Sequence, residues 1–222
     1  MLSELGYEIH RAAFSHSEIQ DLRIEADLIS AEAGSACVRN LTMLSERIRN
    51  LSVSTKLKAL LPSLNYIPVR SILFDKTSAE NWPVAWHQDL TIATKEKKDC
   101  DGYGPWSTKA GVTHTQAPVD LLRKMATIRI HLDPTDRKNG ALIVSPCSHK
   151  TGRLSSDLIS EFVSRSSYIC ECQPGDILLM SPLILHSSKR STNPSRRRIL
   201  HLEYAPQDAL DQRLNWHETH ST

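Results

Sequence analysis

The sequence predicts a mainly β fold, a sandwich or jelly-roll barrel, with helices confined to its first part. Three observations predict it. Apolar residues recur at helical spacing before Pro62 and hardly at all after it. Beyond Pro62 the apolar runs are short and separated by turn chemistry such as Asn139-Gly140 and Pro174-Gly175-Asp176. Strands and long helices do not alternate, as they would in a doubly wound sheet.

In chain order, Gly6 to Phe14 reads as a short strand, and Ser15-x-x-Glu18 has the form of a capping box. Ile19, Leu22, Ala26 and Ile29 follow at spacings of three and four, the stripe of an amphipathic helix. Leu41, Leu44, Ile48 and Leu51 repeat the pattern, and a short helix with Leu57, Leu60 and Leu61 ends at Pro62. Strands are expected at Val69–Phe74, Val84–Leu90 and Met125–Asp133. Asn139-Gly140 should turn a hairpin into Ala141–Ser145. Ser155–Val163 reads as a helix; Tyr168–Cys172, Ile177–Met180, Leu183–His186 and Arg197–Tyr204 read as strands. Lys95 to Pro118 reads as a long polar connection, the kind that contacts substrate or moves.

The 222 residues carry 27 basic and 25 acidic side chains and 40% hydrophobic residues, which excludes a disordered chain. One domain is expected: a mostly helical part over 1–62, a barrel core over 63–205 and a C-terminal tail over 206–222. The longest apolar stretch, Ile177 to Leu185, is broken by Ser181 and Pro182 and is too short for a membrane span. Glu4 and Glu8 stand where an export signal would be apolar, and the scattered cysteines include no C-x-x-C pair. A cytoplasmic protein with reduced thiols, monomeric or a homodimer, is the expectation.

Chemistry concentrates at His87-Gln88-Asp89. On a strand, His87 and Asp89 point to one side and Gln88 to the other. His186, ending an apolar run, is the best third ligand. Two histidines and a carboxylate form the open triad of non-haem Fe(II) oxygenases. Arg197 then opens the last strand with a fork suited to a carboxylate. Histidines more often serve as surface or core residues, and an H-x-D pair is common by chance. On spacing alone, a metal site and a structural reading stand level. Lys189, Arg190, Arg196, Arg197 and Arg198 form a basic run, so a nucleic-acid-binding protein is one alternative. Strand alternation sets Arg196 and Arg198 opposite Arg197, and few aromatic residues are available to stack bases. A metal-free, non-catalytic binding module is another alternative.

Four blocks carry a family resemblance: Trp86-His87-Gln88-Asp89-Leu90; Asn139 through Ser145-Pro146-Cys147-Ser148-His149-Lys150; Pro174-Gly175-Asp176; and His186-Ser187-Ser188 through Arg197 to Tyr204-Ala205. In order and spacing the sequence resembles the phytanoyl-CoA dioxygenase family of Fe(II)- and 2-oxoglutarate-dependent oxygenases, over roughly Gly6 to Ala205. The resemblance implies a double-stranded β-helix, the cupin-like jelly roll, with N-terminal helices packed outside. It implies iron held by His87, Asp89 and His186, and 2-oxoglutarate held by Arg197 with help from Ser188. Arg129 falls where the family lines the co-substrate pocket, with His131 on the same side of its strand. The implied reaction takes O2 and 2-oxoglutarate, hydroxylates a small-molecule metabolite, and releases succinate and CO2, with no nucleic-acid or membrane partner. Tyr103, Trp106, Lys109 and His114 in the long connection are candidates for substrate contact, and Arg39 is a candidate anion contact or a surface residue. Cys147 stands in the Gly place of the family's Pro-Gly-Ser-His turn. The short chain weakens an acyl-CoA substrate.

Overall fold

The computed structural model describes residues 2–192 and 195–219; Met1 and the last three residues of the expected tail lie outside them. The helical part contains α1 (Leu2–Leu5), the strand β1 (Tyr7–His10), α2 (His16–Ala33), the strand β2 (Cys37–Arg39), α3 (Leu41–Leu44), α4 (Glu46–Ser52) and α5 (Thr55–Lys58). The capping box forms: Ser15 Oγ accepts from the Glu18 amide at 3.3 Å, and Glu18 accepts from the Ser15 amide at 2.8 Å. Gly34, left-handed at φ 58°, ends α2, whose Ile19, Leu22, Ala26 and Ile29 are buried. The helix expected through Leu41, Leu44 and Ile48 is broken. Ser45 is extended, and its hydroxyl caps α4 by accepting from the Ile48 amide at 3.1 Å. The break leaves Leu44 62% exposed.

The remaining elements are β3 (Tyr66–Lys76), β4 (Val84–His87), β5 (Thr91–Thr94), β6 (Trp106–Lys109), β7 (Val112–Gln116), α6 (Val119–Lys124), β8 (Ala126–His131), β9 (Leu142–Ser145), α7 (Ser156–Arg165), β10 (Tyr168–Cys170), β11 (Ile177–Met180), β12 (Leu185–Ser188) and β13 (Arg197–Pro206). A six-stranded sheet runs β1-β11-β8-β13-β3-β2 and a four-stranded sheet runs β10-β9-β12-β4. All their pairs are antiparallel, and the chain passes repeatedly from one sheet to the other, as in a jelly roll.

Alternation along the strands divides the molecule into layers. Ile177 and Leu179 of β11, with Leu200 and Leu202 of β13, join the N-terminal helices in one apolar cluster. Leu178 and Met180 pack instead with Leu142 and Val144, between the sheets. Residues Arg197, Ile199, His201 and Glu203 therefore face inward. Cross-strand pairing places Arg129 beside His201, and Arg70 beside Glu203.

Asn139-Gly140 is not a hairpin turn, because β8 and β9 belong to different sheets. Asp136 organises the corner, accepting from the Asn139 amide at 2.6 Å. Gly140 has φ 67°, and a Cβ there would lie 2.7 Å from the Lys189 carbonyl. Glycine is required by a close backbone approach at a sheet-to-sheet corner. Cys147 does occupy a left-handed position, φ 67°, in its turn.

The long connection is not a loop throughout. It contains β6 and β7, which join β5 in a three-stranded antiparallel sheet, β5-β7-β6. The β6–β7 turn is Ala110-Gly111, both with positive φ. That is the chemistry of a two-residue hairpin without the Asn-Gly that announces one.

The segment after β13 folds back onto this sheet. The Lys95 amide donates to the Asn215 carbonyl at 2.9 Å, and the His217 amide to Ala93 at 3.2 Å. Glu218 is buried and accepts from Thr42 Oγ1 at 2.8 Å and the Ser71 amide at 2.7 Å. Glu218→Ala strands buried donors and should cost about 1–3 kcal/mol of stability. Chemical denaturation measures it; an unchanged unfolding free energy would contradict this docking.

Candidate active site and metal centre

The strand carrying His87 ends there, earlier than expected, and Asp89 follows in the short irregular segment before β5. The Asp89 amide donates to the Pro182 carbonyl at 2.9 Å, fixing the backbone. Gln88 points away from its neighbours, as alternation requires. Its side chain donates to Gly152 O at 2.8 Å and Leu183 O at 2.6 Å and accepts from the Leu154 amide at 2.9 Å. Gln88 thus ties three segments together behind the site.

His186 of β12 sits directly opposite His87 of β4. Their rings lie 4.1 Å apart, centre to centre. His87 Nε2 is 3.6 Å from one Asp89 oxygen and His186 Nε2 is 3.6 Å from the other. One ligand atom from each residue falls within 4.8 Å of the others. Both rings are pre-oriented: Nδ1–H of His87 donates to Ala85 O at 2.8 Å, and that of His186 to Ile184 O at 2.9 Å. The Nε2 lone pairs therefore converge with the carboxylate, the tautomer and orientation a divalent metal needs. Burial, against the pull of Asp89, pushes His186 down to about 4, so it is a neutral imidazole at neutral pH. Burial opposes the Asp89 charge, but His186 and His87 outweigh it and hold the carboxyl well below its usual range.

The cavity beside these residues is cationic. Lys76, Arg129 and Arg197 all line it, together with Ser188. Arg197 Nη1 donates to the Gly140 carbonyl, while the buried Nε atoms of Arg197 and Arg129 have no partner among the described residues. Burial and the neighbouring Arg197 and Arg129 bring Lys76 down to about 7. Burial and Arg129 bring Arg197 down to about 10, still charged at neutral pH. Unpartnered buried donors among three cations favour an anion.

A polar chain holds Arg129 in place. Arg129 Nη1 donates to His201 Nδ1 at 2.9 Å, so His201 carries its proton on Nε2 and donates to Glu203 Oε1 at 3.1 Å. Glu203 also accepts from Arg70 at 3.1 Å. Lys76 and His201 were missed in sequence. His201 was accessible in principle, since it lies four residues past Arg197 and so shares its face. Lys76, at a strand end before a polar turn, gave no signal.

Other candidates are placed as follows. Ser188 and Arg129 line the cavity with the triad and Arg197. His131 is buried on the inner sheet face but does not line that cavity, and burial pushes it down to about 3. Tyr103 packs into the apolar cluster with Trp216, and its hydroxyl accepts from the Asp211 amide at 3.4 Å. On β6, Trp106 lies on the face opposite Lys109; Lys109 shares its face with His114 of β7. Arg196 pairs with Asp75 and Asp27, and Arg198 with Asp133 and Asp27, so two charges of the basic run are matched by acids.

No curated protein is similar enough in sequence to match the chain. Among solved structures, the non-heme alpha ketoglutarate dependent carbocyclase SnoK from nogalamycin biosynthesis superposes with a TM-score of 0.73 at 15% identity, covering 93% of this chain and 82% of that one. EctD from S. alaskensis gives 0.71 at 17% identity, over 92% and 74% of the two chains. HygX from Streptomyces hygroscopicus, solved with iron bound, gives 0.66 at 14% identity, over 93% and 85%. These likenesses establish the cupin-like double-stranded β-helix. Residues 4–199 match the phytanoyl-CoA dioxygenase family, and the chain belongs to it.

Proposed function

We propose that this protein is an Fe(II)- and 2-oxoglutarate-dependent dioxygenase that hydroxylates a small-molecule metabolite, releasing succinate and CO2. The observation that carries the reading is the convergence of His87, Asp89 and His186 within 4.8 Å beside a cavity lined by Lys76, Arg129 and Arg197. His87, Asp89 and His186 would hold the metal, a two-histidine, one-carboxylate set that leaves positions for a chelating co-substrate and O2. Bound iron would supply the oxidative decarboxylation of 2-oxoglutarate and the oxidation of a substrate C–H bond. Arg197 and Ser188 would hold the far carboxylate of oxoglutarate, and Arg129 would add a second positive charge. Asp89 occupies the position a halide would need, so the ligand set favours hydroxylation over halogenation. Five free cysteines suit a cytoplasmic setting.

Succinate formation from oxoglutarate, with and without added Fe(II), tests the reading. Iron-dependent succinate is expected; its absence at all iron concentrations would reject it.

Lys76 adds a pH dependence. A bound carboxylate favours the charged lysine and raises its pKa above the free value of about 7. Binding then takes up a proton at higher pH, so oxoglutarate affinity should fall as pH rises through about 7. Calorimetric titrations across this range should show the fall in the wild type and a flatter profile in Lys76→Met. Equal slopes in the two proteins would contradict it.

A further inference from the structure

The inner face of the six-stranded sheet carries a second cationic cluster. Arg70 of β3 lies six residues from Lys76 on the same strand and the same face. Arg39 of β2 is directly opposite Ile72, two residues from Arg70, so the two side chains are diagonal neighbours on that face. Lys76 and Arg197 pair at the far end of β3, while Arg129 lies in the same cross-strand row as His201, Ile72 and Arg39, with β13 and β3 between the two arginines. Arg70 is fixed: its Nη1 donates to Glu203 Oε1 at 3.1 Å and to the Thr91 carbonyl at 3.2 Å. That second bond ties it to β5, the first strand of the small sheet.

The small sheet brings a third cation. Lys109 of β6 and His114 of β7 share a face, and the positive fields of Arg70 and Arg39 reach both. His114 is buried with Nδ1 committed to the Val112 carbonyl at 3.0 Å. Burial and the three cations push it to about 4, so it stays neutral and adds no charge.

Glu203 balances Arg70, but no acid pairs with Arg39 or Lys109 among the described residues. Arg39 Nη1 and Arg70 Nε are shielded from water and have no hydrogen-bond partner there. Two buried guanidinium donors left open, beside an exposed lysine at the rim, are costly unless an anion completes them.

We infer that the prime substrate carries an anionic group, a carboxylate or phosphate, received by Arg39, Arg70 and Lys109 on the β2–β3 side of the inner sheet face, with β13 and β3 between Arg39 and Arg129. An anionic substrate held here at its charged end would leave the rest of its carbon skeleton free to reach the triad. Identifying this ligand as the prime substrate rests on the oxygenase reading; the existence of an anion site does not.

Calorimetry on the metal-free protein with inorganic phosphate and with acetate tests the site without iron or turnover. Wild type, Arg197→Gln, Arg39→Gln and Lys109→Gln are compared. Binding of one of the two anions should survive in Arg197→Gln. It should weaken about tenfold in Arg39→Gln and in Lys109→Gln, the effect of losing one charge-assisted contact. The stronger of the two probes assigns the substrate's group as phosphate or carboxylate. Lys109 is exposed, so its variant keeps the test interpretable if Arg39→Gln fails to fold. Binding abolished by Arg197→Gln alone, unchanged in Lys109→Gln, or absent from the wild type would overturn the inference. Oxoglutarate binding to the iron-loaded protein is measured separately, so loss of one reading is distinguishable from loss of the other.

Discussion

Replacing Asp89 with alanine is expected to eliminate iron-dependent succinate formation while leaving the fold intact. Asp89 is the sole carboxylate of the triad and sits 3.6 Å from the Nε2 atoms of both histidines. Removing it takes away the anionic ligand and leaves only the two imidazoles. Three of six coordination positions would become two, and the divalent ion would lose its charge-balancing partner. Even indirect contacts to metal ligands are worth about 10- to 100-fold in affinity or activity. Loss of a direct ligand should therefore exceed about 100-fold. The backbone has its own anchor, the amide donating to Pro182, which alanine retains. Circular dichroism should match the wild type while succinate release is lost. His87→Ala and His186→Ala should behave alike, although His186 is buried and its removal also opens a small void. Near wild-type turnover in Asp89→Ala would remove the metal assignment.

Arg197→Lys should raise the Michaelis constant for oxoglutarate about 10- to 100-fold, the cost of a charge-assisted bidentate contact. Lysine keeps the charge and loses the fork. Arg197 is buried, with Nε unpartnered and Nη1 on the Gly140 carbonyl, so the guanidinium is already held at a fixed angle. The adjacent arginines provide the control. Arg196 pairs with Asp75, and Arg198 with Asp133, on the opposite side of the strand. Arg196→Lys and Arg198→Lys should leave the constant nearly unchanged. Steady-state rates against oxoglutarate concentration measure all three. A large effect in Arg198→Lys with none in Arg197→Lys would contradict the inward register of β13.

What was legible in the sequence follows from which physical signals are local. Strand period alone separates Arg197 from Arg196 and Arg198, and it also separates Gln88 from His87 and Asp89. The capping box at Ser15 and the stripe behind it depend on neighbours within one helix. Long-range placement was less legible. Asn139-Gly140 has the composition of a hairpin, but a close approach to Lys189, far along the chain, is what requires its glycine. The β6–β7 hairpin was hidden because polar strands, including Ser107 and His114, carry no apolar alternation. Lys76 becomes notable only when β13 brings Arg197 directly opposite it. Tyr103 and Trp106 stand out as aromatic residues in a polar connection, where Trp106 suits a substrate cap and a fold back onto the core equally. Tyr103 is partly buried and packs against an apolar cluster, a placement that depends on residues far along the chain such as Trp216.

The most direct test of the account is anaerobic calorimetry of Fe(II) and 2-oxoglutarate binding to the wild type and to Asp89→Ala. One Fe(II) per wild-type chain is expected, with oxoglutarate binding that tightens when the metal is present, and neither behaviour in the variant. Equal iron affinity in the two proteins, or oxoglutarate binding indifferent to iron, would contradict it.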